Sequence, residues 1–279
     1  NDGIPAVVLD RYGAYGVLKL YSAALVPWVA TLTTVLRELE LFEGVYLRWS
    51  RRLKQDEGVL FGDVPELIDI QEHGMRFGVD VRRGQKTGFF IDQRDGRALA
   101  RDNAKDLSVL NCFAYSGGFS VAAIAGGAEH VVSVDSSRGA MAACAAHVQR
   151  NAPSETHRHE AVVADVWDYL RRCNERFGLI VLDPPALTTD KKSLPKAQSA
   201  YLSLHDAALK CLRPGGLLLT CSCSSRVTED MFMSVVQDAG RAANRTLTLL
   251  QALKQPPDHP TRKQFPEGQY LKVLLYRSS

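Results

Sequence analysis

From Ser108 onward the chain alternates short Val/Leu/Ile runs with Ala-rich stretches of helical period, and few folds accommodate that texture. The runs are Val109 to Asn111, Val131 to Asp135, Ala161 to Asp165, Leu179 to Asp183 and Leu217 to Thr220. Apolar runs without polar alternation predict strands buried on both faces, as in an open parallel sheet flanked by helices. Each ends in a polar residue, at the carboxyl edge where such sheets bind ligands. Two later runs, Leu247 to Leu250 and Leu271 to Tyr276, predict an antiparallel pair closing the sheet.

The residues before this region read differently. Residues 6 to 22, around Gly13 and Gly16, predict a β-hairpin; Pro27-Trp28 opens a helix through Leu39 that Gly44 stops; Val45 to Trp49 predicts a strand. Arg51 to Gly58 reads as a polar loop, followed by strands at Leu67 to Ile70 and Phe77 to Val81. The expected fold is α/β with two domains: a small α+β domain over 1–84 and a doubly wound domain over 85–279. No apolar run approaches the roughly 18 residues of a membrane span, and the first ten residues lack a signal-peptide pattern. Six scattered cysteines suit reduced thiols in a cytoplasm. Without Cys or His pairs at zinc spacing, no metal site is expected. A net charge of +3 permits a nucleic-acid partner without requiring one.

The chemistry-bearing residues lie at the strand ends. After the first strand, Asn111-Cys112-Phe113-Ala114-Tyr115-Ser116-Gly117-Gly118-Phe119 predicts a tight strand-to-helix turn whose backbone can approach a ligand closely. The spacing is neither Gly-x-Gly-x-x-Gly nor a phosphate loop, which disfavours nicotinamide cofactors and nucleoside triphosphates. Asp135, 18 residues beyond Gly117, stands where a carboxylate would accept the hydrogen bonds of a ribose diol; capping the helix that begins near Ser136 is the alternative. Asp165, followed by Val166, could hold an adenine amino group or cap a helix. Leu182-Asp183-Pro184-Pro185 ends the fourth strand with a rigid turn at the cleft floor, and Ala186 stands where amine-methylating enzymes usually carry an aromatic residue. Loop, acid and turn together point to S-adenosylmethionine (SAM) as cofactor.

The fifth strand runs into Cys221-Ser222-Cys223-Ser224, with both thiols on one side by strand alternation. Carbon 5 of a pyrimidine is a poor nucleophile, and a thiolate adding to carbon 6 converts it into an enamine that can accept a methyl group. A small buried core residue is the plainer reading of either cysteine. Upstream, Lys86, Gln93, Arg94 and Arg97 surround a glycine turn and could grip a cofactor carboxylate or an RNA phosphate, with a solvated loop as the alternative. His73 is isolated and reads as structural.

Gln71-Glu72-His73-Gly74-Met75, Lys86-Thr87-Gly88-Phe89-Phe90-Ile91-Asp92-Gln93-Arg94, the Asn111 to Phe119 loop, Leu182-Asp183-Pro184-Pro185, Cys221-Ser222-Cys223-Ser224, Asp258-His259-Pro260 and Phe265 to Lys272 occur in that order. In this the chain resembles the bacterial ribosomal RNA large-subunit methyltransferase I family. The resemblance implies a Rossmann-like class I SAM-dependent methyltransferase domain behind a small central-type α+β domain. It implies methylation of cytosine carbon 5 in large-subunit ribosomal RNA, taken before assembly, and it allows a homodimer. Catalysis would fall to Cys223 and Asp183, the latter bonding the base and supporting protonation at nitrogen 3. The cofactor would lie against Lys86, Gln93, Arg94, Asn111, Phe113, Tyr115, Ser116, Gly117, Asp135, Ser136, Asp165, Val166 and Asp183. Family members carry an amino-terminal RNA-binding PUA domain, whereas this chain starts within the region corresponding to the central domain. Some other RNA cytosine methyltransferases have a second cysteine where Ala186 stands, so the group that removes the carbon-5 proton is unassigned. The rival readings are methylation of guanine or another base on the same fold, and a non-catalytic RNA-binding or ribosome-assembly protein.

Overall fold

In the computed structural model, which describes residues 3–188, 190, 192–265 and 268–279, the regions of different texture fold apart, as units Asn1–Ile91 and Asp92–Ser279. In the first unit, β1 (Val7–Tyr12) and β2 (Tyr15–Leu20) form the hairpin, turning at Gly13 with φ 61°. Helix α1 (Val29–Glu38) follows a 3-10 turn, and β3 (Gly44–Trp49) pairs parallel to β2. Strand β4 (Gly58–Phe61) completes the order β1-β2-β3-β4. It starts at the end of the segment expected as a loop: four residues, Gly-Val-Leu-Phe, are too few to display a period, and pairing with β3 decides their conformation. A separate hairpin joins β5 (Leu67–Glu72) to β6 (Met75–Asp80) through His73 and Gly74, both at positive φ. Leu18, Leu20, Val45, Leu47 and Trp49 form the core. Residues 84–87 are bound to this unit, since Arg48 Nη1 donates to Gly84 O (2.6 Å) and Lys19 Nζ to Lys86 O (2.7 Å). The seam thus falls beyond the expected 84/85 boundary.

The second unit opens with α2 (Arg94–Asp102), a helix where the sequence suggested a charged turn. Then follow β7 (Ser108–Cys112), α3 (Gly118–Ala125), β8 (His130–Asp135), α4 (Arg138–Asn151), β9 (His159–Val163), α5 (Val166–Arg172) and β10 (Phe177–Leu182). After these come α6 (Leu194–Cys211), β11 (Leu212–Ser222), α7 (Glu229–Ala242), β12 (Leu247–Leu253) and β13 (Lys272–Ser278). The sheet order is β12-β13-β11-β10-β7-β8-β9. Strands β11 to β9 are mutually parallel, and β13 runs antiparallel between β11 and β12. Val109, Leu110, Leu179, Ile180 and Leu218 are wholly buried, as strands covered on both faces require. Tyr201 of α6 meets Phe232 of α7 edge-on at 5.1 Å over one face. Chain order reverses between β7 and β10, which opens a crevice at the carboxyl ends of these strands. Among the described residues no helix is long and apolar enough to cross a membrane.

Candidate active site at the carboxyl edge of the sheet

The loop leaving β7 is built from unusual backbone. Phe113 (φ 60°), Tyr115 (φ 47°) and Gly117 (φ 79°) are all left-handed, a conformation that non-glycine residues hold only where surrounding structure enforces it. Three contacts do so: Ala114 N donates to Val134 O (3.1 Å), Tyr115 N to Asp135 Oδ2 (3.0 Å), and His147 Nδ1 to Ser116 O (2.8 Å). Gly117 has a second constraint, because a Cβ there would stand 2.3 Å from Cys144 Sγ. The chain therefore passes directly over α4 into the N-terminus of α3. Beneath the loop, Asn111 Nδ2 donates to Ser120 Oγ (2.8 Å), Ser120 bonds Ser133 (2.6 Å), and Ser133 bonds His159 Nε2 (2.8 Å). Burial, and then His130, lowers the His159 pKa to about 4. Asn111 Oδ1 is buried with no protein partner, an orphan acceptor of the kind a polar ligand satisfies.

Asp135 is both latch and ligand candidate. Besides Tyr115 N it accepts from Ser137 N (2.9 Å) through Oδ1. Each carboxylate oxygen has a second lone pair, so accepting two backbone protons leaves capacity for a diol. Ser136 beside it is exposed. Asp165 caps α5, accepting from Asp168 N at 3.0 Å, the alternative the sequence allowed. Val166 is buried in the core, so it can meet a cofactor only through its backbone. Phe113, one of the expected cofactor residues, packs edge-on against Trp167 at 5.1 Å, forming an aromatic wall whose second member the sequence did not signal, because Trp167 lies in no motif.

Of the upstream candidates, Gln93 and Arg94 lie in this unit and Lys86 in the other. Gln93 is buried and its Nε2 donates to Asp183 Oδ1 (2.9 Å), while its Oε1 has no protein partner. Arg94 Nη1 pairs with Asp258 Oδ2 at 2.8 Å. Burial alone would raise the Asp258 pKa, but the bonds from Arg94 and His259 outweigh it, and the net shift is downward. Lys86 Nζ lies 4.5 Å from the centre of the Phe90 ring. Arg97 is buried and packs beneath Gly118, where a Cβ would meet its Cδ at 2.9 Å.

Asp183 follows β10 directly, half-buried, with Pro184 buried and Pro185 and Ala186 exposed. The two cysteines after it in the site differ. Cys221 is fully buried, and burial, followed by the nearby Asp183 charge, pushes its thiol well above its ordinary pKa. Cys223 lies beyond the end of β11, half-buried, with Sγ 4.0 Å from Pro184 O. Of the pair, Cys223 is therefore the thiol that can meet a substrate. The edge thus gathers Asn111, Phe113 to Gly117, Asp135, Asp165, Gln93, Asp183 and Cys223 on one unit.

These features fit SAM: left-handed backbone at a helix N-terminus, a carboxylate at the next strand end, and orphan buried acceptors on Asn111 and Gln93. Residues 31–277 match the family model of S-adenosylmethionine-dependent methyltransferases. The ribosomal RNA large subunit methyltransferase I of Enterobacter sp. (strain 638) is 38% identical over 99% of this chain and 72% of its own length. That of Cronobacter sakazakii is 38% identical over 98% and 71%. Among solved structures, a Streptococcus mutans protein assigned as a SAM-dependent methyltransferase superposes with a TM-score of 0.86 at 27% identity, covering 98% of this chain and 71% of that one. A further structure with the same score, identity and coverage is a complex with S-adenosylhomocysteine (SAH). The Trm5b structure from Pyrococcus abyssi, at 15% identity and a TM-score of 0.71 over 98% of this chain and 75% of that one, shares the fold. The chain belongs to the S-adenosylmethionine-dependent methyltransferase family, beside the relatives named ribosomal RNA large subunit methyltransferase I.

Proposed function

We propose that this protein transfers a methyl group from SAM to carbon 5 of a cytosine in large-subunit ribosomal RNA. The observation that carries the reading is the half-buried Cys223 thiol beside the Asp183-Pro184 turn, with Cys221 sealed behind it. The relatives' names supply the RNA, and the resemblance supplies the carbon-5 chemistry. SAM, when bound, supplies an electrophilic methyl group on a sulfonium. Asp135 would accept the ribose hydroxyls of the cofactor, the Phe113 to Gly117 backbone and Ser136 would hold its nucleoside, and Asp165 with the Val166 backbone would meet its adenine. Asn111 would offer its unused acceptor, and Gln93 and Arg94 would bear on the amino-acid end.

A flipped or unpaired cytosine enters between Asp183 and Cys223. Addition of the Cys223 thiolate to carbon 6 would shift the electron pair of the 5,6 double bond to carbon 5, which would take the methyl group as the bond between methyl and sulfonium breaks and its electron pair stays on sulfur, leaving SAH. Asp183 hydrogen-bonds the base and supports protonation at nitrogen 3. Loss of the carbon-5 proton to a base then restores the double bond and expels the Cys223 sulfur. The substrate RNA is taken before subunit assembly, when the base is accessible, in a cytoplasm that keeps the thiol reduced.

Incubation with labelled SAM and unmodified ribosomal RNA, followed by nucleoside mass spectrometry, is expected to yield 5-methylcytidine. Cys223→Ala is expected to reduce its formation at least a thousandfold while SAM binding persists. Formation of another methylated base, or a variant as active as the parent, would overturn the reading.

A further inference from the structure

The segment bearing Cys223 has no regular structure of its own, yet its backbone is held from two sides. From α6, Tyr201 OH donates to Ser222 Oγ at 3.0 Å, and Ser224 N donates to the same oxygen at 3.4 Å. From β13, Lys272 reaches underneath. It stands opposite Ser222 in the β11–β13 register, and only 4% of its surface is exposed. Its Nζ donates to Ser224 O (2.7 Å), Val227 O (2.7 Å) and Tyr270 O (2.8 Å), which uses all three ammonium protons. Among the described residues no carboxylate pairs with this lysine, and tying down carbonyls with it is expensive because its charge must be desolvated. Burial lowers its pKa to about 8, and the largest opposing influence is Cys223, followed by Glu229 of α7. By reciprocity, an ammonium that a thiolate stabilises also stabilises that thiolate. Cys221 on β11, Tyr201 on α6 and Asp183 also act on these surroundings, and among these described groups Lys272 is the cation.

We infer that Lys272 is a positioning residue for the proposed nucleophile: its ammonium anchors the 224–227 carbonyls and supplies the positive charge that favours the Cys223 thiolate. The inference rests on the reading of Cys223 given above, but it can be tested without RNA or cofactor. Iodoacetamide labelling of the intact protein, resolved by peptide mass spectrometry, gives the pH profile of Cys223, with half-buried Cys173 as internal control. In Lys272→Gln the inflection for Cys223 is expected to move up by about one pH unit. Its rate at pH 7 is then expected to fall about threefold, because lost thiolate is partly offset by greater nucleophilicity. Cys173 should not change. Lys272→Arg keeps the charge and is expected to retain the parental profile, and it decides the matter if the Gln variant fails to fold. An unshifted Gln variant, or an Arg variant shifted as far as Gln, would overturn the inference. Failure of the underlying reading shows up elsewhere, as a Cys223→Ala enzyme that still forms 5-methylcytidine.

Discussion

The loop after β7 and the segment after β11 both present backbone to the same crevice, yet they are built by opposite means. The first is defined by strained main-chain geometry, which Val134, Asp135 and His147 latch: Phe113, Tyr115 and Gly117 are left-handed, and the glycine is pressed against Cys144. The second has little intrinsic shape, and side chains from other elements, Tyr201 and Lys272, hold it in place. A region made by backbone geometry breaks when a side chain is added, whereas a region made by tethers breaks when one is removed.

The largest effect is expected at Gly117. Gly117→Val needs both a left-handed β-branched residue and room that Cys144 occupies, so it should cost about 2–4 kcal/mol in chemical denaturation and abolish SAM binding by calorimetry. Adding Cys144→Ala should recover part of the stability; no recovery would mean that backbone strain rather than the contact dominates.

Acid should weaken the tethered side. His205 of α6 is fully buried, bonding Tyr201 O (2.6 Å) and Thr220 Oγ1 (2.8 Å) through its two ring nitrogens, and burial lowers its pKa to about 4. The folded state keeps this ring neutral while the unfolded chain takes up a proton below about 6.5. Stability contributed by His205 is therefore intact above that pH and lost as pH falls toward 4, by about 3 kcal/mol in all. Urea midpoints between pH 7 and 4 should fall in the parent and fall less in His205→Gln.

A smaller, kinetic effect is expected at Gln93. Gln93→Leu removes the donor to Asp183, a charge-assisted bond of about 1.5–3 kcal/mol, and should lower kcat by about tenfold or more. Equal loss in kcat and SAM affinity would mean that its contact with the cofactor, rather than with Asp183, dominates. The smallest effect is expected outside both regions, where Asp258→Asn loosens the partly exposed pair with Arg94 and should change stability by less than about 1 kcal/mol.

Legibility in the sequence followed the same division. Strands β7, β8, β10 and the apolar part of β11 were readable because burial on both faces leaves unbroken apolar runs, and the Gly117 loop because a strained turn demands a glycine. The exposed edge strand β9 runs His159–Val163, two residues before the run expected at Ala161 to Asp165. Helix α2 was not readable: its buried face is Gly96, Arg97, Leu99 and Ala100, which carries little apolar signal. The tethers were also hidden, because they join residues far apart in the chain. Gln93 and Asp183 are 90 positions apart, and Lys272 and Ser224 are 48. Strand alternation put Cys221 and Cys223 on one side but could not say which was sealed, since that depends on where β11 ends. Lys272 sits within an apolar run, and only the three carbonyls around it explain a charge there.

The insertion of β13 between β11 and β12 has a consequence for how this molecule comes into being. The strand nearest the carboxyl end is an interior strand of the sheet, and it brings Lys272 to the Cys223 segment. A nascent chain can close the β7–β10 crevice long before residues 272–278 emerge from the ribosome. The cofactor half can therefore mature during translation, whereas the thiol half must wait for the strand that steadies it.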